Sequence, residues 1–246
     1  MTLPSKTWDK FVNLLRKIDD TAANLMTTYL QDHALATDAD VTAAIDYAYA
    51  LATKYGEAAG AVAAQMYDLI ASAQRATVPA AVPAETATYG EVAGAVRGSL
   101  EQSILPDNVG AAVGRLVKLA AADTMLHNSA RDHAEFAWIP RGATCAFCLT
   151  LASNGWRRID PKAKGSHASH IHANCDCMYA VRFSDDMDVQ GYNNGAEYRE
   201  MYENAEGRGA HKINSMRREL YAENRDKINA QKRAAYERRK EAESST

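Results

Sequence analysis

The cysteines of this 246-residue chain are confined to one short window. All four lie within residues 145–177 as two close pairs, Cys145 with Cys148 and Cys175 with Cys177. Such clustering indicates a compact chemical unit. In a reducing compartment, close cysteine pairs are more often metal ligands than disulfides. The window is therefore the first candidate for a structural zinc site.

The spacing within the window resembles that of zinc ligands. Cys145-Ala-Phe-Cys148 is a knuckle from which two thiolates reach one tetrahedral ion. The second half is His172-Ala-Asn-Cys175-Asp-Cys177, and two ligand sets stay open for it. One set has all four sulfurs, and the other replaces Cys175 or Cys177 by the imidazole of His172. Either set closes the coordination sphere, which indicates a structural ion rather than a catalytic one.

The segment around the cysteines also has little apolar content. From Arg141 to Phe183 the helical periodicity fails, and glycine and proline punctuate the chain. A segment this short does not easily hold itself by a hydrophobic core. A bound zinc ion would contribute folding free energy on the order of 10 kcal/mol. Four reduced thiols without a metal, or disulfides, are the alternatives.

The rest of the chain is predicted to be mainly α. Alanine is abundant and aromatic residues are only 8%, a composition that favours helix over sheet. We expect three parts: a helical N-terminal domain at 1–138, a small loop-rich α+β zinc module at 139–184, and a polar loop with a basic C-terminal helix at 185–246. No run of about 18 apolar residues predicts a membrane span. Periodicity and turn signals predict helices at about 6–34, 38–55, 57–76, 89–105, 109–136, 196–206 and 211–242, with an extended linker at 78–88 that has no packing face.

The net charge of -3 hides an uneven distribution. Residues 1–206 carry 17 Lys or Arg and 25 Asp or Glu, whereas residues 207–240 carry 11 and 4. A basic tail on an acidic body favours a polyanion or an acidic protein surface as partner, and a solvated helix with ion pairs is the alternative. Contacts to phosphates would be non-specific and salt-dependent. The candidate nucleic-acid-binding residues are Arg217, Arg218, Arg225, Lys227, Lys232, Arg233, Arg238, Arg239 and Lys240.

The cysteine window resembles a known phage module. The segment Arg141-Gly-Ala-Thr-Cys-Ala-Phe-Cys-Leu-Thr-Leu-Ala-Ser-Asn-Gly155, followed by His172-Ala-Asn-Cys-Asp-Cys177, is similar to the head-morphogenesis module of tailed-phage minor capsid proteins, the relatives of phage Mu protein F. The residue pattern is most similar to that of the versions in phages of actinobacteria. The resemblance covers about residues 100–185. His-Ala-Asn stands where the wider family commonly has His-Pro-Asn.

This resemblance implies a structural virion protein and not an enzyme. Members of that minor capsid family bind the portal protein at the portal vertex inside the head and aid head assembly or DNA entry and exit. The expected partners are the portal protein, the major capsid protein and packaged DNA, with several copies of the chain per particle and no membrane. The expected location is the virion, after assembly in the host cytoplasm. The competing hypothesis is a zinc-dependent DNA-binding protein or nuclease, which needs an open metal position.

Overall fold

A computed structural model describes residues 4–102, 106–140, 145–158, 177–185 and 195–244. The chain is mainly helical with a small three-stranded sheet, which confirms the predicted fold class at this level. None of the helices in these ranges has the length and apolarity that crossing a bilayer requires. The elements are α1 Ser5–Asp32, α2 Asp38–Ala73, α3 Tyr89–Gln102, α4 Pro106–Arg131, β1 Glu135–Ile139, α5 Ala146–Ala152, β2 Arg157–Arg158, β3 Met178–Arg182, α6 Gly195–Asn204 and α7 Ala210–Ser244.

The helical body is built on close contact between α1 and α4. Gly110 and Gly114 of α4 lie four residues apart, so they share one face of the helix. A Cβ atom at Gly110 would lie 2.6 Å from the carbonyl oxygen of Ala23, and one at Gly114 would lie 3.3 Å from the carbonyl oxygen of Asp19. The two missing side chains therefore let the two helix backbones approach each other.

Gly56 does not end a helix, so the predicted break between two helices is wrong. The helix α2 runs unbroken from Asp38 to Ala73. A Cβ atom at Gly56 would lie only 2.9 Å from Cγ2 of Thr86, which belongs to the extended segment 78–88. The glycine makes room for that segment to cross the helix, and a single glycine costs a helix only about 1 kcal/mol.

The segment 78–88, which we call the strap, is extended as predicted but has packing partners. The Val82 amide donates to Oδ1 of Asn128 at 2.9 Å, and Nδ2 of Asn128 donates to the Val82 carbonyl at 2.9 Å. The Ala84 amide donates to Oγ1 of Thr124 at 2.9 Å. Side chains of α4 thus replace the backbone partners that an extended segment would find in a sheet.

A buried polar network ties the start of the strap to α2. The Tyr67 hydroxyl donates to Oδ2 of Asp132 at 2.9 Å. Arg131 pairs with Asp132 at 2.7 Å and donates to the carbonyls of Pro79 and Ala80 at 2.9 and 3.0 Å. Burial, and then the hydrogen bond to Asp132, raise the pKa of Tyr67 well above its usual value. Burial also acts to raise the pKa of Asp132, but hydrogen bonds from Arg131 and Tyr67 outweigh it and lower that pKa.

The helix α4 ends earlier than the sequence predicts. It stops at Arg131 instead of continuing to Phe136, and His133 adopts φ +53°. This left-handed conformation turns the chain, because it cannot continue a right-handed helix. Residues from Glu135 onward then form β1.

The sheet is antiparallel with strand order β2-β1-β3. In its register Phe136 faces Val181 and Ile139 faces Met178. The strands β1 and β3 and the helix α5 share one hydrophobic core with α1, α2 and α4, so the described part of this segment is stabilised by packing on the helical body. The proposed boundary between 138 and 139 falls inside β1, and the division into three domains stays a prediction. The core includes Trp8, Val12, Met66, Tyr67, Ile70, Leu126, Phe136, Trp138, Cys148, Leu151, Tyr179 and Val181.

Candidate metal centre

The first cysteine pair is organised by the start of α5. Cys145 is the N-cap residue, and its Sγ accepts the amide of Cys148 at 3.4 Å. Cys148 is buried within the hydrophobic core, and Cys145 packs against it. Two cysteines separated by two residues at the start of a helix are a common source of metal-binding sulfurs. These two residues fit the chemistry of a zinc knuckle.

Cys177 lies beside the end of β1. It directly precedes β3, whose first residue Met178 faces Ile139 at the end of β1. From Ile139 the chain reaches Cys145 within a few residues. The antiparallel pairing of β1 with β3 therefore places Cys177 beside the end of β1, and Cys177 packs against the same core as Cys148.

The remaining proposed ligands, Cys175 and His172, lie outside the described residues. Within the described ranges, no group of three or more potential metal-ligating side chains comes together. The choice between four sulfurs and three sulfurs with one imidazole stays open. Cys145, Cys148 and Cys177 are all among the described residues, so the structure does not bring these three sulfurs into one ligand group. The zinc site stays a prediction.

A polar cluster on the sheet holds its three strands in register. Nη2 of Arg182 on β3 lies 2.6 Å from Oε2 of Glu135 on β1. The guanidinium of Arg182 also lies 4.7 Å from the ring centre of Trp156, within the range of a cation–π contact. Arg158 on β2 reaches the other carboxylate oxygen of Glu135 at 3.9 Å. The sequence analysis did not identify this cluster, because its members are brought together by strand pairing alone.

Gln74 joins the sheet to the helical body. It follows α2 as the C-cap residue and is only 7% exposed. Its Nε2 donates to the Val181 carbonyl at 2.9 Å, and its Oε1 accepts the Phe183 amide at 2.9 Å. The primary amide therefore pairs with β3 as a neighbouring strand would. No pattern in the sequence indicates this role for a single glutamine.

A cleft lies beside Cys177 where α1, α4 and β3 meet. Its volume is about 600 Å³, including solvent at its mouth, and its walls are mostly apolar. Asp19 lines it and is 4% exposed, with Oδ2 3.2 Å from Nζ of Lys118. Burial raises the pKa of Asp19 to about 6, and the charge of Lys118 lowers that pKa only in part.

The candidate nucleic-acid-binding residues all fall on α7. Those whose side chains the structure describes are exposed: Arg217, Arg218, Arg225 and Arg233. Positions 227, 232 and 238–240 lie on the same helix, and their side chains are outside the described part. The structure confirms that these residues share one helix, and their binding of nucleic acid stays a prediction.

The base of α7 is docked on α5 and α6. Met216 is 2% exposed and belongs to a second hydrophobic cluster, in which it meets Ala146 and Leu149 of α5. Ile213 and Leu220 pack against this cluster. The hydroxyl of Thr150 lies 3.7 Å from Sδ of Met216. We call Ile213, Met216 and Leu220 the foot of α7, and residues 221–244 its arm.

Comparison with known proteins places this helical protein in a viral-gene family of phages. The VG15 protein family matches residues 2–205, so the chain belongs to that family and is a phage protein. No curated protein and no solved structure matches the chain significantly.

Proposed function

We propose that this phage protein is a structural minor capsid protein of the head-morphogenesis class related to phage Mu protein F. In this proposal it binds the portal protein at the portal vertex inside the head, in several copies, and aids head assembly or DNA packaging and ejection. The helices of 1–138 dock on the portal, and other surfaces reach the major capsid protein. It is a component of the virion and catalyses no reaction.

The observation that carries this proposal is the cysteine motif itself, whose sequence resembles that of phage head-morphogenesis proteins. Cys145 and Cys148 lie at the start of α5, Cys177 directly precedes β3 of the sheet, and all three pack with the common core. That sheet is joined to the helical body through the common core. Membership in a phage protein family supports the same conclusion.

The proposed zinc ion would have a structural role. Cys145 and Cys148 would hold it, together with either Cys175 and Cys177 or His172 and one of Cys175 and Cys177. When bound, the ion would cross-link the start of α5 to the strand β3. Such a cross-link suits a protein that keeps one shape under the forces of DNA packaging.

Mass spectrometry and cross-linking of purified particles test the capsid role. We expect the chain in DNA-filled particles, with cross-links from residues of 1–138 to the portal protein. Its absence from finished particles, with presence in empty precursors, would indicate an assembly factor instead. Nicking of supercoiled plasmid by the purified protein would favour the nuclease hypothesis.

The substitution Cys145→Ser tests the metal separately. Serine is a preferred N-cap residue, so this change keeps the cap of α5 while removing the thiolate. We expect elemental analysis to find about one zinc per chain in the wild type, and loss of zinc in the variant. Hydrogen exchange should then accelerate in α5 and β3 but not in α2. Chelator treatment of the wild type should reproduce this pattern, and full retention of zinc by Cys145→Ser would contradict the proposed ligand set.

A further inference from the structure

The exposed arginines and the exposed acidic residues of α7 whose side chains the structure describes lie on separate faces. At about 100° per residue, four exposed arginines fall within an arc of roughly 160°: Arg217, Arg218, Arg225 and Arg233. Four exposed acidic residues fall within a separate arc of roughly 60°: Glu219, Glu223, Asp226 and Glu237. The sequence analysis did not resolve this separation, because acidic and basic residues alternate along the chain.

The basic face points away from the body. The foot residues Ile213, Met216 and Leu220 occupy their own arc of about 60°, roughly opposite the centre of the arginine arc. Arg217 and Arg218 lie on the docked turns and are exposed, as this arrangement requires. The foot therefore sets which way the basic face is presented.

The arm extends well beyond the foot. The helix has 35 residues, so residues 221–244 span about 36 Å at 1.5 Å per residue. Tyr221 and Tyr236 on the arm are 45% and 69% exposed. Arg225 lies 3.9 Å from Asp226, and both side chains are largely exposed, so this surface pair holds the arginine only weakly. The arginines are thus accessible to an external anion.

We propose that the basic face of α7 binds duplex DNA through its phosphates, without reading the base sequence. The four arginines span 16 residue steps, about 24 Å at 1.5 Å per residue, which is roughly two thirds of one turn of DNA. Phosphates recur on each strand over that length. Arginines on one side of a straight helix can contact several of them at once, and each contact releases counterions. The acidic strip beside it limits the contact to one face. This inference does not depend on the capsid role, because free DNA tests it.

Fluorescence anisotropy with a labelled duplex tests the proposal on the full chain. The test variant replaces Arg217, Arg218, Arg225 and Arg233 by Gln, which keeps helix propensity and removes four charges. A matched control replaces four exposed cations of the body and of α6 by Gln: Lys10, Arg16, Lys54 and Arg199. Circular dichroism checks that both variants remain helical.

At low salt we expect the test variant to bind at least about tenfold more weakly, and its salt slope to be shallower by up to about 4, roughly one unit per lost phosphate contact. The control should stay near the wild type, and two duplexes of unrelated sequence should bind equally well. Equal losses in both variants would show that net charge, not this face, governs binding and would overturn the proposal. The proposal would also be overturned if the wild type did not bind the duplex. The same holds if the four arginines were buried between copies of the chain in a self-associated form.

Discussion

Two helices of nearly equal length, α2 with 36 residues and α7 with 35, have opposite surroundings. Along α2 the buried positions are mostly small, such as Ala48, Ala59 and Ala63, and they extend through most of the helix. Along α7, among the side chains that the structure describes, only the foot residues pack into a hydrophobic cluster. Most helical stability comes from packing of an apolar face, so α2 is held by the body, whereas the described side chains of the arm add no such packing.

The largest effect on stability is expected from a substitution in the closely packed helical body. We expect Gly110→Ala to lower the free energy of unfolding by about 3 kcal/mol or more, because the new Cβ would overlap Oγ1 of Thr27 and press on the Ala23 backbone. Chemical denaturation measures the change. The control Gly94→Ala lies in open space on α3 and should stabilise by up to about 1 kcal/mol. Equal effects of the two would disprove the close approach of α1 and α4.

A substitution in the foot of α7 is expected to cause an intermediate loss of stability. Met216→Ala should cost about 2 kcal/mol of local stability, since a buried side chain is lost from the contact with α5. Hydrogen exchange should accelerate at 213–220 and remain unchanged in α2. The control Tyr236→Ala removes a side chain that is 69% exposed and should change neither region. Faster exchange in α2 would mean that the two helices are not energetically separate.

The smallest effect concerns the buried carboxylate of α1. The pKa of Asp19 is raised to about 6 in the folded state, so the native protein binds the proton more tightly than the unfolded chain. The contribution of the Asp19 carboxyl group to the free energy of unfolding is greatest below about pH 4, declines as the pH rises to about 6 and is constant above that pH. Asp19→Asn should therefore stabilise the protein by about 1 to 2 kcal/mol at pH 7 and by less at pH 4.

Thermal unfolding across this pH range measures the difference. The neighbouring Asp20→Asn is a matched control, because the Asp20 side chain is 62% exposed and forms a surface pair with Arg16. That variant should show no comparable dependence on pH. A pH-independent effect of Asp19→Asn would indicate a packing change in place of the buried charge.

The long helices were predictable from sequence because their signals are local. Periodicity placed α1 and α7 within a few residues of their observed bounds. Other features depend on distant residues. Gly56 is indistinguishable in sequence from a helix breaker until Thr86 is known to cross it. The early end of α4 depends on a left-handed His133, and β1 depends on a strand about 40 residues later.

The candidate site likewise combines features that were predictable from local sequence with features that depend on distant residues. The spacing of Cys145 and Cys148 indicated a knuckle, and the structure places them at the start of a helix. The residues directly after Cys177 form the strand β3. The contributions of Gln74, Glu135 and Arg182 could not be predicted, because each depends on a partner that only the tertiary fold supplies.

The short helix α5 packs on two sides, each against a different hydrophobic cluster. Cys148 and Leu151 face the main core, whereas Ala146 and Leu149 face the foot of α7. A force applied to α7 would therefore reach the main core through the seven residues of α5.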